Sequence, residues 1–240
     1  MKTERLITKL NEKSPLSEPY FTLRTNIKFS TPDKSLKLIN VTSPGIGDGK
    51  STTCANLALT YAKSGERVLL IDADLRRPTQ HHLFNLSNQE GLTNVVVLNE
   101  SHESVVQRIN PNLDVMTAGL LPTNPVEFMG SHLFHQFLKE IREFYDVIII
   151  DTPPVGMLTD AALLAPHCDG TLLVVAKRKT SIKLAQQAKQ ALQNVNANVI
   201  GCVMTRSETD KKAYQYCELS DERVSQKIKW WKRRKRGIQI

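Results

Sequence analysis

The segment that most constrains this chain is Thr42-Ser43-Pro44-Gly45-Ile46-Gly47-Asp48-Gly49-Lys50-Ser51-Thr52-Thr53. It lies between an alternating apolar stretch, Leu36 to Thr42, that reads as a strand, and a periodic stretch, Ser51 to Ser64, that reads as a helix with Gly65 at its carboxyl cap. A strand that turns into a helix through three glycines leaves backbone N–H groups facing one point at a helix N-terminus, where the partial positive charge favours an anion. Phosphate fits such a loop. Gly45, Gly47 and Gly49 permit close backbone approach, Lys50 reaches the outer phosphates of a nucleotide such as ATP, and the Ser51 hydroxyl is placed to ligate Mg²⁺. Asp48 and Thr52 complete the loop residues expected around the nucleotide. The strict pattern has glycine six residues before the lysine, where this chain has Pro44.

The strand and helix alternation continues along the chain. Val68 to Ile71 is a short apolar run ending in Asp72-Ala73-Asp74, and Val147 to Ile150, the most apolar run, ends in Asp151-Thr152-Pro153-Pro154. Leu113 to Met116, Thr171 to Ala176 and Val199 to Thr205 read as further strands. Helices are predicted over Glu18 to Ser30 (with Tyr20, Leu23, Ile27 and Phe29 in its apolar row), Asp160 to Ala165 and Ser181 to Val195. Another is predicted from an Asn124 N-cap, with Pro125 at the first position and Glu127 closing a capping box, through Phe144. Short apolar runs separated by helices imply an α/β fold: a mostly parallel sheet with helices on both faces, in three layers, α/β/α. Ligands of such sheets bind at the carboxyl ends of the strands. The phosphate loop, Asp72, Asp74 and Asp151 all fall there. Asp151 is expected to hold the metal, and a further strand-end carboxylate is what a general base for an incoming hydroxyl requires.

Length fits one domain of this class, with an N-terminal segment at 1–16, a body at 17–210 and a tail at 211–240. The formal charge of +8 sits in the tail. Arg223, Lys227, Lys229, Lys232, Arg233, Arg234, Lys235 and Arg236 follow the last acidic residue, and the rest of the chain is balanced. A neutral body argues against a nucleic-acid-binding face. Basic residues beside Trp230 and Trp231 suit an anionic membrane surface, where each contributes about 1 kcal/mol. No apolar run approaches the roughly 20 residues of a membrane span, and residues 1–16 lack the apolar core of a signal peptide. A cytoplasmic protein is expected. Cys54, Cys168, Cys202 and Cys217 are too scattered for a zinc site or a disulfide framework, and His81, His82, His132 and His135 have no third ligand in view. Lys177, Arg178 and Lys179 follow a strand and face either the nucleotide edge or a neighbouring subunit.

Taken together, the loop ending Gly49-Lys50-Ser51-Thr52-Thr53, the run Val68-Leu69-Leu70-Ile71-Asp72-Ala73-Asp74-Leu75-Arg76-Arg77-Pro78 and the run Val147-Ile148-Ile149-Ile150-Asp151-Thr152-Pro153-Pro154 resemble the P-loop bacterial tyrosine kinases. These are cytoplasmic kinases that work with membrane-embedded polysaccharide co-polymerases in capsule and exopolysaccharide synthesis. Leu23-Arg24-Thr25-Asn26-Ile27 and Asn124-Pro125-Val126-Glu127-Phe128 support the likeness, which covers residues 17–216. The resemblance implies ATP-dependent phosphorylation of protein tyrosines, including the enzyme's own tail, with Lys50 on phosphate, Ser51 and Asp151 on Mg²⁺, Asp74 assisting the metal and Asp72 as base. It also implies a membrane activator, a ring-like homo-oligomer, a cognate tyrosine phosphatase and peripheral association with the inner face of the membrane.

Two departures stand out. The family's first-helix row Glu-x-x-Arg-x-x-Arg, tied to ring assembly, is here Glu18, Phe21, Arg24, and its tyrosine-rich tail is here reduced to Tyr214 and Tyr216. The rival on the same fold is the partition and division-site ATPase group, switches that phosphorylate no protein. They carry a second lysine five residues before the main one, where this chain has Gly45.

Overall fold

In the computed structural model residues 6, 16–31 and 35–207 are described. Tyr214, Tyr216, Cys217 and the basic end lie outside them. In chain order the elements are α1 (Glu18–Ser30), β1 (Leu38–Thr42), α2 (Lys50–Lys63), β2 (Val68–Asp72), α3 (Gln80–Phe84), α4 (Leu92–Leu98) and α5 (His102–Val105). There follow β3 (Gln107–Asn110), β4 (Leu113–Met116), α6 (Pro125–Met129), α7 (His132–Glu140), β5 (Val147–Asp151), α8 (Asp160–Leu164), β6 (Gly170–Ala176), α9 (Ile182–Asn194) and β7 (Val199–Thr205). The strands form one sheet in the order β3-β4-β2-β5-β1-β6-β7. Among the described strands only β3 runs antiparallel to its neighbour.

The expected layering follows from how each central strand divides its side chains. Ile39, Val41, Leu70 and Ile149 point to the face covered by α1 and α2, among Ile27, Leu57 and Ala58. Leu38, Leu69, Ile71, Ile148 and Ile150 point to the other, among Leu92, Val96, Phe128 and Phe134 of the helices there. A strand buried on both faces has no need of polar alternation, which is why these runs are wholly apolar. Each fully buried Leu or Ile contributes about 1.5–3 kcal/mol, so the sheet centre is a stiff platform for the loops that leave it.

Besides α3, α4 and α5, which the sequence did not lead us to expect, four details differ from the sequence expectation. The helix predicted from Asn124 to Phe144 is broken: Gly130 ends α6, and the Ser131 side chain caps α7 by accepting from the Phe134 N–H at 3.2 Å. A 3₁₀ turn, Ile141–Glu143, completes the segment. The Asn124 cap forms, accepting the Glu127 N–H at 3.3 Å, but Glu127 returns to the Asn124 side-chain amide at 3.2 Å instead of closing the box on its backbone. Strand β3 is polar and half-buried, so it gives no apolar signal; Arg108 on it pairs with Asp114 of β4 at 3.1 Å. Phe29 does not join the apolar row of α1 and is 72% exposed.

Candidate active site

Strand β5 lies between β2 and β1, with Asp72 level with Asp151 across the β2–β5 ladder and Val41 level with Asp151 across the other. The loops that leave β1, β2 and β5 therefore open at one edge. Between β1 and α2 the phosphate loop turns through left-handed glycines, Gly47 at φ 71° and Gly49 at φ 98°. A Cβ on Gly49 would also stand 3.1 Å from Thr205 Cγ2. The loop is braced from within by Asp48, whose carboxylate accepts the Gly45 N–H at 2.9 Å and whose carbonyl accepts the Thr205 hydroxyl at 2.6 Å. From outside, Arg206 donates to the Gly47 carbonyl at 3.0 Å and Lys179 to the Ile46 carbonyl. Lys179 thus faces the nucleotide edge of its own chain. The loop after β5 closes on Pro44: a Cβ on Gly156 would lie 2.4 Å from the Pro44 carbonyl oxygen, so only glycine lets the two backbones meet.

Lys50, the first residue of α2, places Nζ 2.7 Å from Asp74 Oδ2, 3.2 Å from Asp151 Oδ1 and 3.3 Å from Ser51 Oγ. Burial alone would lower its pKa, but the charges of Asp151 and Asp74 outweigh that and hold it above the ordinary lysine range. Asp151 is fully buried, and its second oxygen accepts from Gln80 Nε2 at 2.8 Å. A cleft of about 810 Å³ opens over this group, lined by Gly47, Gly49, Lys50, Ser51, Thr52, Asp74, Arg76 and Arg77, with Tyr20, Pro154 and Leu158 as apolar walls. Its volume is that of a nucleotide-sized pocket. Gly45, Asp48 and Asp151 lie behind the wall and shape it from there.

Asp72 is more enclosed than Asp74. Its side chain is fully buried, and its oxygens accept the N–H groups of Asp74 at 3.3 Å and of Thr79 and Gln80 at 2.8 Å each. It is not among the cleft-lining residues. Burial first, and then the charge of Asp151, raise its pKa, while the N–H donors from Gln80 and Thr79 pull it back. These bonds anchor the turn that carries Asp74. Cys54 also sits under the site, and burial with Asp151 nearby holds its thiol well above the ordinary range, so it stays an unreactive core group.

Of the first-helix pair, Glu18 is exposed, and Arg24 is half-buried with Nη1 3.5 Å from the Thr60 carbonyl of α2. Lys179 takes the first of the two places the sequence left open to it, whereas Arg206, Thr205 and Gln80 were not foreseen as parts of the site. Lys179 and Arg206 are strand-end basic residues, a signal the sequence does carry, whereas nothing in the type or spacing of Gln80 marks it. No group of three His, Cys, Asp or Glu side chains among the described residues forms a metal cage. Magnesium does not require one: it is held by one or two carboxylates or hydroxyls, with phosphate oxygens and water completing the shell. The Ser51 hydroxyl and the Asp74 carboxylate line the cleft and the Asp151 carboxylate lies directly behind them; all three are hard oxygen donors of that kind and fit the ion.

A glycine loop, a Lys-Ser pair at a helix start and strand-end carboxylates on one edge of a mostly parallel sheet define an ATP-binding protein of the P-loop NTPase class. Residues 36–201 match the family model described as an AAA domain. The chain is 41% identical over 218 residues to tyrosine-protein kinase YwqD of Bacillus subtilis (strain 168), covering 90% of this chain and 92% of that protein. It is 37% identical over 205 residues to the putative tyrosine-protein kinase CapB of Staphylococcus aureus, covering 85% and 90%. The crystal structure of the chimerical protein CapA2B2 superposes with a TM-score of 0.82 at 35% identity, covering 86% of this chain and 91% of that one. The chain belongs to the bacterial tyrosine kinases, in the AAA-domain family.

Proposed function

We propose that this protein transfers the γ-phosphoryl group of ATP to protein tyrosines, its own Tyr214 and Tyr216 among them, and so regulates synthesis and export of a capsular or extracellular polysaccharide. The observation that carries the reading is the convergence of Ser51, Asp74 and Asp151 within 3.3 Å of the Lys50 ammonium nitrogen beneath the cleft. Phosphoryl transfer asks a protein mainly for positioning and for charge opposite the phosphate oxygens. The loop N–H groups and Lys50 supply that charge. Ser51 and Asp151 would hold Mg²⁺, which neutralises charge on the β- and γ-phosphate oxygens. A tyrosine hydroxyl, with a pKa of about 10, gives up its proton late, and the carboxylate that faces the cleft to receive it is Asp74. To serve directly, Asp72 would have to shed its backbone donors.

Around this core we place a membrane-embedded co-polymerase as activator, a ring of identical subunits using Glu18 and Arg24, and a phosphatase that reverses the modification. The basic tail then rests on the inner leaflet. No helix among the described residues is long and apolar enough to cross a membrane. The test is phosphotyrosine mapping on purified protein with ATP and Mg²⁺, with and without the cytoplasmic segment of the activator. Phosphate is expected on Tyr214 and Tyr216, abolished by Asp74→Asn and retained in part by Asp72→Asn. Steady ATP hydrolysis with no phosphotyrosine under either condition would instead support the partition-type switch.

A further inference from the structure

We propose that Gln80 is a positioning residue of the metal-nucleotide site, holding the Asp151 carboxylate and the Ser51 turn in the arrangement that receives a divalent cation. This rests on the reading of the cleft as a Mg²⁺-ATP site. Gln80 opens α3 and is fully buried. It is brought there by Asp72, whose Oδ2 accepts both the Thr79 and the Gln80 backbone N–H at 2.8 Å and docks the start of α3 against the sheet edge. From that anchor the side chain reaches the gap between the end of β5 and the start of α2. Nε2 donates to Asp151 Oδ2 at 2.8 Å and to the Ser51 carbonyl at 3.1 Å. Both neighbours are acceptors, so the amide orientation is fixed by chemistry: the nitrogen must face them.

The opposite end of the amide gives the second observation. Gln80 Oε1 is buried with no hydrogen-bond partner. Buried polar groups are normally satisfied, and an orphaned one is costly. A Met or Leu would fill the same space without that cost, so the position is an amide for the sake of its N–H donors. Those donors join the two residues expected to hold the cation, Ser51 and Asp151, to the Asp72 motif that presents Asp74. With Lys50 on one oxygen of Asp151 and Gln80 on the other, the carboxylate cannot rotate. Outer partners of this kind set the direction of a ligand's lone pairs, and their loss typically weakens metal affinity about 10–100-fold.

The experiment uses the full chain and measures ADP affinity in Mg²⁺ and in EDTA, with melting temperature recorded for each protein. In Gln80→Met the gain in ADP affinity on adding Mg²⁺ is expected to fall about 10–100-fold, with affinity in EDTA within about twofold of the parent. Gln80→Asn, one methylene too short to reach both acceptors, is expected to show the same loss. An unchanged Mg²⁺-dependent gain in either folded variant would overturn the inference, as would an equal fall in Mg²⁺ and in EDTA, the mark of a merely structural role. If the parent itself showed no Mg²⁺-dependent gain, the reading of the site would fail, and this inference with it.

Discussion

Replacing Lys50 by Met should damage the fold as well as the chemistry, and the size of the damage follows from the site. The Lys50 ammonium is ion-paired at 2.7 Å with Asp74 and at 3.2 Å with Asp151, between side chains that are 10%, 7% and 0% exposed. Asp72 lies level with Asp151 on the next strand. Removing this cation leaves a buried acidic cluster without it, a change that typically costs about 3–5 kcal/mol. In a domain of this size that is a fall in melting temperature of roughly 6–20 °C. The pH dependence has a definite sign. In the parent, the raised Lys50 pKa means its contribution is complete below the ordinary lysine value and is lost only as pH rises through the higher folded value. In the variant Asp72, whose pKa burial and the charge of Asp151 already raise, loses the Lys50 charge that pulls it down, so the folded state takes up a proton that the unfolded chain does not. The deficit should therefore be largest near pH 8 and shrink as pH falls toward 5. Scanning calorimetry without nucleotide at pH 5, 6.5 and 8 measures it, and Lys50→Met with Asp74→Asn should recover part of the loss. A deficit under about 2 °C at pH 8, or one that grows on acidification, would refute the reasoning. Should the prediction hold, inactivity of Lys50→Met has two causes, and Lys50→Arg, which keeps the charge, is the better probe of chemistry.

The remaining expectations are smaller. Gly49→Ala forces a side chain into φ 98° and against Thr205, at a cost of about 1–3 kcal/mol; urea unfolding should show that loss and nucleotide affinity should fall with it. Arg76→Ala strips the guanidinium from Asp160, which is 1% exposed and held at 3.1 Å. With Arg76 itself about a third exposed, a loss of about 1–3 kcal/mol is expected, readable as a lower urea midpoint that Asp160→Asn in the same chain partly restores.

Much of this architecture can be read from residue types because the physics is local. Runs such as Val147 to Ile150 are apolar throughout since both faces are covered, and the aspartates that end them mark the functional edge. The break at Gly130-Ser131 was also legible, as a glycine stop followed by a serine cap, but the continuing apolar period through Phe134 and Phe137 masked it. Strand β3 was not, because an edge strand of Gln107 to Asn110 buries little and owes its conformation to β4. Nor was the difference in exposure to the cleft between Asp72 and Asp74. Two carboxylates two residues apart look alike in sequence; which one is enclosed depends on the Thr79 and Gln80 amides folding back over it. Gln80 is the extreme case, an ordinary polar residue whose importance comes entirely from where α3 docks.

The strand order bears on how the protein is made. β1 and β2 emerge first from the ribosome, carrying the phosphate loop and both early aspartates, yet they are not neighbours: β5 separates them. The central ladder must wait until Asp151 has been synthesised, about 80 residues after Asp72, a delay of roughly 4–16 s at typical translation rates. Until then Lys50 lacks one of its two carboxylate partners and β1 and β2 lack the strand that joins them, so a nascent or truncated chain ending before β5 displays the complete phosphate-binding signature without a nucleotide site.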